Sequence, residues 1–160
     1  MAMNDLRLED FLPYRLSVLA NRVSKHLARA YRNRFGMSVP EWRVMAIIGT
    51  TDDKTALDIV EASVMDKVAV SRAVAGLAAR GLLVSRLDAK DRRRHLLSLT
   101  NEGLSVYHEV VPLARRYHME LLQQLGADDA REFDRLLHIL DRVAETIGEG
   151  KWIQGDGRED

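Results

Sequence analysis

Apolar positions recur at three- and four-residue steps between Phe11 and Phe35, at Leu12, Leu16, Leu19, Val23, Leu27 and Tyr31. This is the period of an amphipathic helix, and Gly36 is placed to end it in a left-handed cap. Ser38-Val39-Pro40-Glu41 then offers an N-cap followed by a proline near the first helical position. A second helix is therefore predicted through Trp42, Val44, Met45, Ile47 and Ile48, stopping at Gly49 before the polar loop Thr50 to Lys54. Thr55 with Asp58 three residues on is a variant capping box, which opens a short helix to the region of Ala62. After a tight turn, Asp66 caps a helix from Lys67 to Arg80, with Val70, Val74 and Leu77 as its inner stripe and Gly81 as its stop.

Past Gly81 the period changes. Leu82 to Arg86 and His95 to Leu99 are β-type runs on either side of the charged segment Leu87 to Arg94, which predicts a hairpin with an exposed basic tip. Thr100, with Glu102 close behind, caps a long helix through Val106, Tyr107, Val110, Leu113, Tyr117 and Leu121 to about Gly126, with Pro112 inside it as a source of a kink or a register shift. Asp128 or Asp129 caps a last helix with the stripe Phe133, Leu136, Leu137, Leu140, Val143 and Ile147, and a Gly- and charge-rich tail begins at Gly148. The fold class is mainly α with a small β-hairpin, and the two short helices joined by a tight turn have the form of a helix-turn-helix.

Composition narrows the function classes. A chain of 160 residues with 46% hydrophobic and 30% charged residues folds as one domain, or as a compact head with an appended helical part. The absence of cysteine excludes disulfides, thiolate zinc sites and thiol nucleophiles. The N-terminal stretch is interrupted by charges every few residues, unlike a signal peptide, and no run approaches the roughly 18 apolar residues of a membrane span, so a cytoplasmic protein without membrane partners is expected. Net charge is zero, yet its distribution is uneven. From Asp66 to Arg94 eight basic residues face three acidic ones, a net of +5, whereas Asn101 to Asp160 holds seven basic and 13 acidic residues, a net of −6. Such segregation suits a polyanionic partner for one part of the chain.

The second helix of a helix-turn-helix enters the DNA major groove and reads bases from its first turns. Here those positions are Lys67, Val68, Ala69, Ser71 and Arg72. Arg72 can give two hydrogen bonds to guanine, Ser71 can donate to phosphate or base, and the small Val68 and Ala69 allow contact with thymine methyls. The hairpin tip adds Lys90, Arg92, Arg93 and Arg94 in the layout of a winged helix, with Asp91 two residues before Arg93 as a candidate bidentate partner for its guanidinium. Enzymatic signatures are missing: the histidines His26, His95, His108, His118 and His138 lack paired metal-ligand spacing, and Gly76 and Gly81 are followed by leucines instead of Lys-Ser/Thr, so no metal, cofactor or catalytic residue is assigned. The alternatives to a DNA reader are a helical protein-interaction module, which leaves Arg92 to Arg94 without a role, and a small enzyme, for which no feature speaks.

The stretch TALDIVEASVMDKVAVSRAVAGLAARGLLVSRLDAKDRRRHLLSLTNEG resembles the winged helix-turn-helix core of the MarR family of bacterial transcription regulators. In that family the wing reads Asp-x-Arg-Asp-x-Arg. This chain matches at Asp88, Asp91 and Arg93 and carries Lys90 for the first Arg, which keeps the charge but loses a bidentate fork, so Arg93 is the better candidate for minor-groove insertion. The similarity follows the order of helices over nearly the whole chain. It implies an N-terminal dimerisation helix (1–36), a winged helix-turn-helix domain (37–100), C-terminal dimerisation helices (101–147) and a flexible tail (148–160).

The resemblance further implies a homodimer that binds double-stranded DNA at a pseudo-palindromic operator, most often as a ligand-responsive repressor associated with the nucleoid. Effectors in the family, many of them small aromatic anions, sit between the dimerisation helices and the reading head. On that seam this chain offers Tyr14, Arg15, Arg22, His26, Trp42, Arg43 and Tyr107, a set of aromatic and cationic groups suited to an aromatic carboxylate or thioester. The competing role for Trp42, Arg43 and Tyr107 is packing and ion pairing.

Overall fold

Residues 6–50 and 53–149 are described by the computed structural model. Thr51 and Asp52 of the polar loop, and residues 150–160 of the expected tail, lie outside the described residues. The first helix, α1 (Leu12–Phe35), begins with proline in its first turn and ends at Gly36, whose φ of 59° allows its N–H to close on the Arg32 carbonyl at 2.9 Å. In α2 (Val39–Thr50) the Ser38 N-cap is reciprocal: Ser38 Oγ accepts from the Glu41 N–H at 3.3 Å, and the Glu41 carboxylate accepts from the Ser38 N–H at 2.7 Å.

One expectation for α2 is corrected. The helix does not stop at Gly49 but runs through it to Thr50, whose hydroxyl donates to the Ala46 and Ile47 carbonyls. Gly49 is there for close approach, since a Cβ at this position would lie 2.6 Å from the Tyr107 ring.

The expected capping box of Thr55 and Asp58 opens α3 (Ala56–Ser63), with both reciprocal hydrogen bonds formed. Asp66 Oδ1 accepts from the Ala69 N–H at 2.8 Å to cap α4 (Lys67–Ala79). The hairpin pairs β1 (Leu83–Leu87) with β2 (His95–Leu99) antiparallel, Leu83 opposite Leu99 and Leu87 opposite His95. The first strand starts one residue later than the apolar run because the Leu82 N–H is engaged by the Leu77 carbonyl at 3.0 Å in closing α4. Lys54, from the connection between α2 and α3, bridges Leu97 on the free edge of β2.

The helix α5 (Asn101–Leu125) continues through Pro112, where the ring removes one backbone donor. In α6 (Ala127–Glu149) the start is also corrected. Gly126, at φ 84°, lends its carbonyl to the Ala130 N–H at 3.0 Å, so Asp128 and Asp129 lie within the first turn instead of capping it. There their charges complement the positive end of the helix dipole.

The described residues up to Ala114 and those from Arg115 onward form two compact units. The core belongs to the first: Tyr31, Met37, Val44, Met45, Ile48, Ile59, Val70, Ala73, Leu77, Leu82, Leu83, Leu97 and Val110 are buried together, so α1 through α4, the hairpin and the start of α5 share one interior. In the second unit no described residue is buried, and α6 shows Phe133, Leu136, Leu137, Val143 and Ile147 on its surface. No helix among the described residues is long and apolar enough to cross a membrane.

Candidate nucleic-acid interface

Burial of Val70, Ala73 and Leu77 fixes the rotation of α4 and turns Lys67, Val68, Ser71 and Arg72 outward, with Ala69 half-buried beside them. Neither Lys67 nor Arg72 takes part in an ion pair among the described residues. Arg72, with Ala69 and Ala73, lines a shallow groove against Ser38, Pro40 and Glu41 at the start of α2. On the other flank of α4, an open apolar groove of about 530 Å³ is bordered by Lys67 and Ser71 of α4, Leu57 and Val60 of α3, and His95 and Leu97 of β2. The predicted reading helix and the base of the hairpin therefore border one groove.

The hairpin tip is ordered from its backbone. The Asp88 N–H donates to the Arg94 carbonyl and the Arg94 N–H to the Asp91 carbonyl, each at 2.9 Å. The two aspartates cap the tip: Asp88 accepts from the Lys90 N–H at 2.8 Å and Asp91 from the Arg93 N–H at 3.1 Å. The bond from Lys90 is the main reason the Asp88 carboxyl is held below its ordinary pKa. The expected bidentate pair between Asp91 and Arg93 does not form. Only Arg93 Nε reaches Asp91, at 3.3 Å, because the carboxylate is drawn over the backbone N–H of the same residue, and the Arg93 side chain is 92% exposed. Arg94 differs from its neighbours in lying 4.0 Å from Asp58 on α3. That carboxyl is held low chiefly by the N–H and hydroxyl of Thr55, with Arg94 and Lys54 adding to the effect. Lys90 and Arg92 are exposed and make no ion pair among the described residues.

Two positioning contacts were not foreseen. Asp53, at φ 46°, pairs with Arg86 of β1 and accepts from Ser98 Oγ of β2 at 2.8 Å, tying the loop before α3 to both hairpin strands. Arg80, just past α4, donates to the Phe35 and Gly36 carbonyls at 2.6 and 3.1 Å and so caps α1 from a distance. These pairs are 33 to 45 residues apart in sequence, and only the polarity of Asp53 and the basicity of Arg80 hinted at them.

The seven candidate effector residues do not converge on one cavity among the described residues. Trp42 and Tyr107 stack at 6.2 Å, and Trp42 also meets the Tyr31 ring at 5.2 Å. Arg43 is exposed and borders, with Lys25, a shallow groove floored by Ala20, Ser24 and Ala28 of α1. Tyr14, Arg15, Arg22 and His26 are spread along the exposed surface of α1. A feature of the stack is the Tyr31 hydroxyl, which is buried and has no hydrogen-bond partner among the described residues, and burial pushes its pKa up to about 12. Since an unsatisfied buried donor costs about 1 to 3 kcal/mol, Tyr31→Phe is expected to stabilise the protein by up to that amount in denaturant titrations at neutral pH. The raised folded-state pKa also makes wild-type stability full below pH 10.0 and progressively lost as pH rises toward about 12. The Phe variant should lack that alkaline loss; an unchanged alkaline limb would assign it to other groups.

Comparison with known proteins gives a consistent result. The MarR family model matches residues 35–94, the span from the end of α1 to the hairpin tip. The transcriptional regulator HosA of Escherichia coli O127:H6 is 28% identical over 113 residues, covering 71% of this chain and 84% of HosA. Among solved structures, a MarR family transcriptional regulator from Silicibacter pomeroyi DSS-3 superposes with a TM-score of 0.74 at 28% identity, over 87% of this chain and 99% of that one. BpsR of Bordetella bronchiseptica, whose DNA binding is regulated by 6-hydroxynicotinic acid, gives a TM-score of 0.76 at 20% identity, over 86% of this chain and 98% of its own.

Proposed function

We propose that the chain, which matches the MarR family model over residues 35–94 and resembles HosA and a MarR family regulator of Silicibacter pomeroyi, is a winged helix-turn-helix transcription regulator that binds a pseudo-palindromic operator as a homodimer and acts as a repressor released by a small anionic aromatic effector. The observation that carries the DNA reading is the outward face of α4, where Lys67 and Ser71 share a groove with the base of a hairpin whose tip displays Lys90, Arg92 and Arg93, and where Arg72 stands without an ion-pair partner among the described residues on the other flank. Val68 and Ala69 sit in the first turn with Lys67, and Arg72 follows one turn on, the arrangement by which a helix presents donors to guanine and small side chains to thymine. Asp88 and Asp91 set the tip, and Arg94, anchored near Asp58, directs its neighbours outward.

Dimerisation is supported by the apolar surfaces at both ends of the chain. Leu12 and Leu19 on α1 and Phe133, Leu136, Leu137, Val143 and Ile147 on α6 are exposed in the single chain. Each is worth about 1.5 to 3 kcal/mol when fully buried, and a two-fold axis lets each end cover the other's stripe. The effector reading draws on the aromatic groups Trp42 and Tyr107, which stack on each other, and on Tyr14, Arg15, Arg22, His26 and Arg43 as aromatic or cationic groups exposed on α1 and α2. The regulatory role follows from linkage: a ligand releases DNA only by preferring the spacing of the heads that DNA does not. Selecting bound fragments from random or genomic DNA tests the reading. Enriched sequences with two inverted half-sites support it, whereas no enrichment over input DNA contradicts it.

A further inference from the structure

Outside the reading head, basic charge gathers on α1. Between Leu12 and Phe35 this helix carries six basic side chains, Arg15, Arg22, Lys25, Arg29, Arg32 and Arg34, and no acidic one, in a chain of zero net charge. Lys25, Arg29 and Arg32 are spaced four and three residues apart, which places them on one row about 10 Å long. All three are exposed, and none has an ion-pair partner among the described residues; the one pair on this helix is Arg34 with Glu109, at 3.9 Å. The row runs along the side of α1 away from Leu27 and Tyr31, which this helix turns toward the core, so packing in the core gives it no role.

Two further observations orient it. The end of α1 is fastened to the reading helix, through the Arg80 guanidinium on the Phe35 and Gly36 carbonyls. Two residues beyond Gly36, Ser38 and Pro40 border the groove that Arg72 occupies. The basic row thus lies on an element that Arg80 holds to the end of α4, and the chain leads directly from that element into the groove that Arg72 lines. An uncompensated row of cations joined to a DNA interface is complementary to the phosphates beyond the bases being read.

We infer that Lys25, Arg29 and Arg32 form a second, sequence-independent DNA contact, which engages backbone phosphates flanking the operator and adds affinity once the duplex extends past the half-sites. This rests on the DNA-binding reading above and adds a surface to it. Each phosphate neutralised contributes about 0.9 to the slope of log affinity against log salt. The test uses the full chain and two duplexes carrying a selected operator, one just long enough for its two half-sites and one extended on both sides with random sequence. Wild type should show a steeper salt slope on the longer duplex. In the variant Lys25→Gln/Arg29→Gln/Arg32→Gln the slope on the longer duplex should fall by about 3 per protomer, while the slope on the shorter duplex stays near wild type. The conservative variant Arg29→Lys/Arg32→Lys should keep the wild-type slope, which separates loss of charge from loss of fold.

Equal slopes for wild type and the Gln variant on the longer duplex would overturn the inference while leaving the DNA reading intact, whereas failure of wild type to bind either duplex would overturn the DNA reading itself. Loss of self-association in the Gln variant, measured by sedimentation without DNA, would also overturn the inference, by assigning the row to the acidic surface of a second copy.

Discussion

Gly103→Ala is expected to dismantle the junction between the hairpin and α5. A Cβ at position 103 would sit 1.9 Å from the Leu82 carbonyl oxygen and 2.9 Å from its carbon, backbone atoms that no rotamer change can move. The same carbonyl accepts the Thr100 N–H at 3.1 Å, and Thr100 Oγ1 both donates to the Gly81 carbonyl at 2.7 Å and accepts the Gly103 N–H at 3.0 Å. The added methyl therefore forces α5 away from the end of α4 and breaks the cap that starts α5. Leu82, Leu83, Leu97 and Val110, all buried around this junction, lose packing together. Overpacking alone costs about 1 to 3 kcal/mol, and loss of a cap adds about 1 more, a large part of the stability of a small domain. Thermal melts should show a strongly lowered midpoint. Gly126→Ala is the control of opposite kind: nothing lies near a Cβ there, so only the strain of φ 84° is felt. A Gly103→Ala protein as stable as wild type would mean that α5 is seated differently.

The second large effect concerns reading. Arg72→Ala should cost on the order of 1 to 3 kcal/mol of operator affinity at one base pair, with little change at the others, if its guanidinium bridges a guanine. The side chain is free to do so because Glu41, the nearest acid across the groove, is committed to the Ser38 cap. Arg93→Ala makes a contrasting case. Its guanidinium is held to Asp91 by one contact only and extends into solvent, so its loss should weaken sites according to minor-groove width instead of base identity. Binding curves on a panel of single-base operator variants distinguish the two; equal weakening on every sequence for both substitutions would reduce each to a phosphate contact.

Much of this architecture was legible because it is encoded locally. Gly36, Thr55 with Asp58, Asp66 and Gly81 sit at the helix boundaries they predict, since caps and left-handed turns are satisfied within a few residues. The misses share a cause. Gly49 looked like a stop and is a packing glycine, which depends on Tyr107, 58 residues later in a different helix. Asp128 and Asp129 looked like caps, but Gly126 begins the helix with its carbonyl, an interaction open to any residue and so without a signature in composition. The Asp91-Arg93 pair was correctly placed but wrongly shaped, because the competing backbone N–H is not visible in a residue pattern. Asp53 and Arg80 act across the fold, and the aromatic seam resolved into a stack around Trp42 only once three helices were in place.

Two copies of this chain are proposed to read two half-sites together. Sedimentation of the protein at micromolar concentration with a selected operator checks this. Two protomers per full site are expected, with half-site centres about 10 base pairs apart, and much weaker binding to a duplex carrying one half-site. One protomer per full site, bound as tightly to the half-site alone, would contradict it.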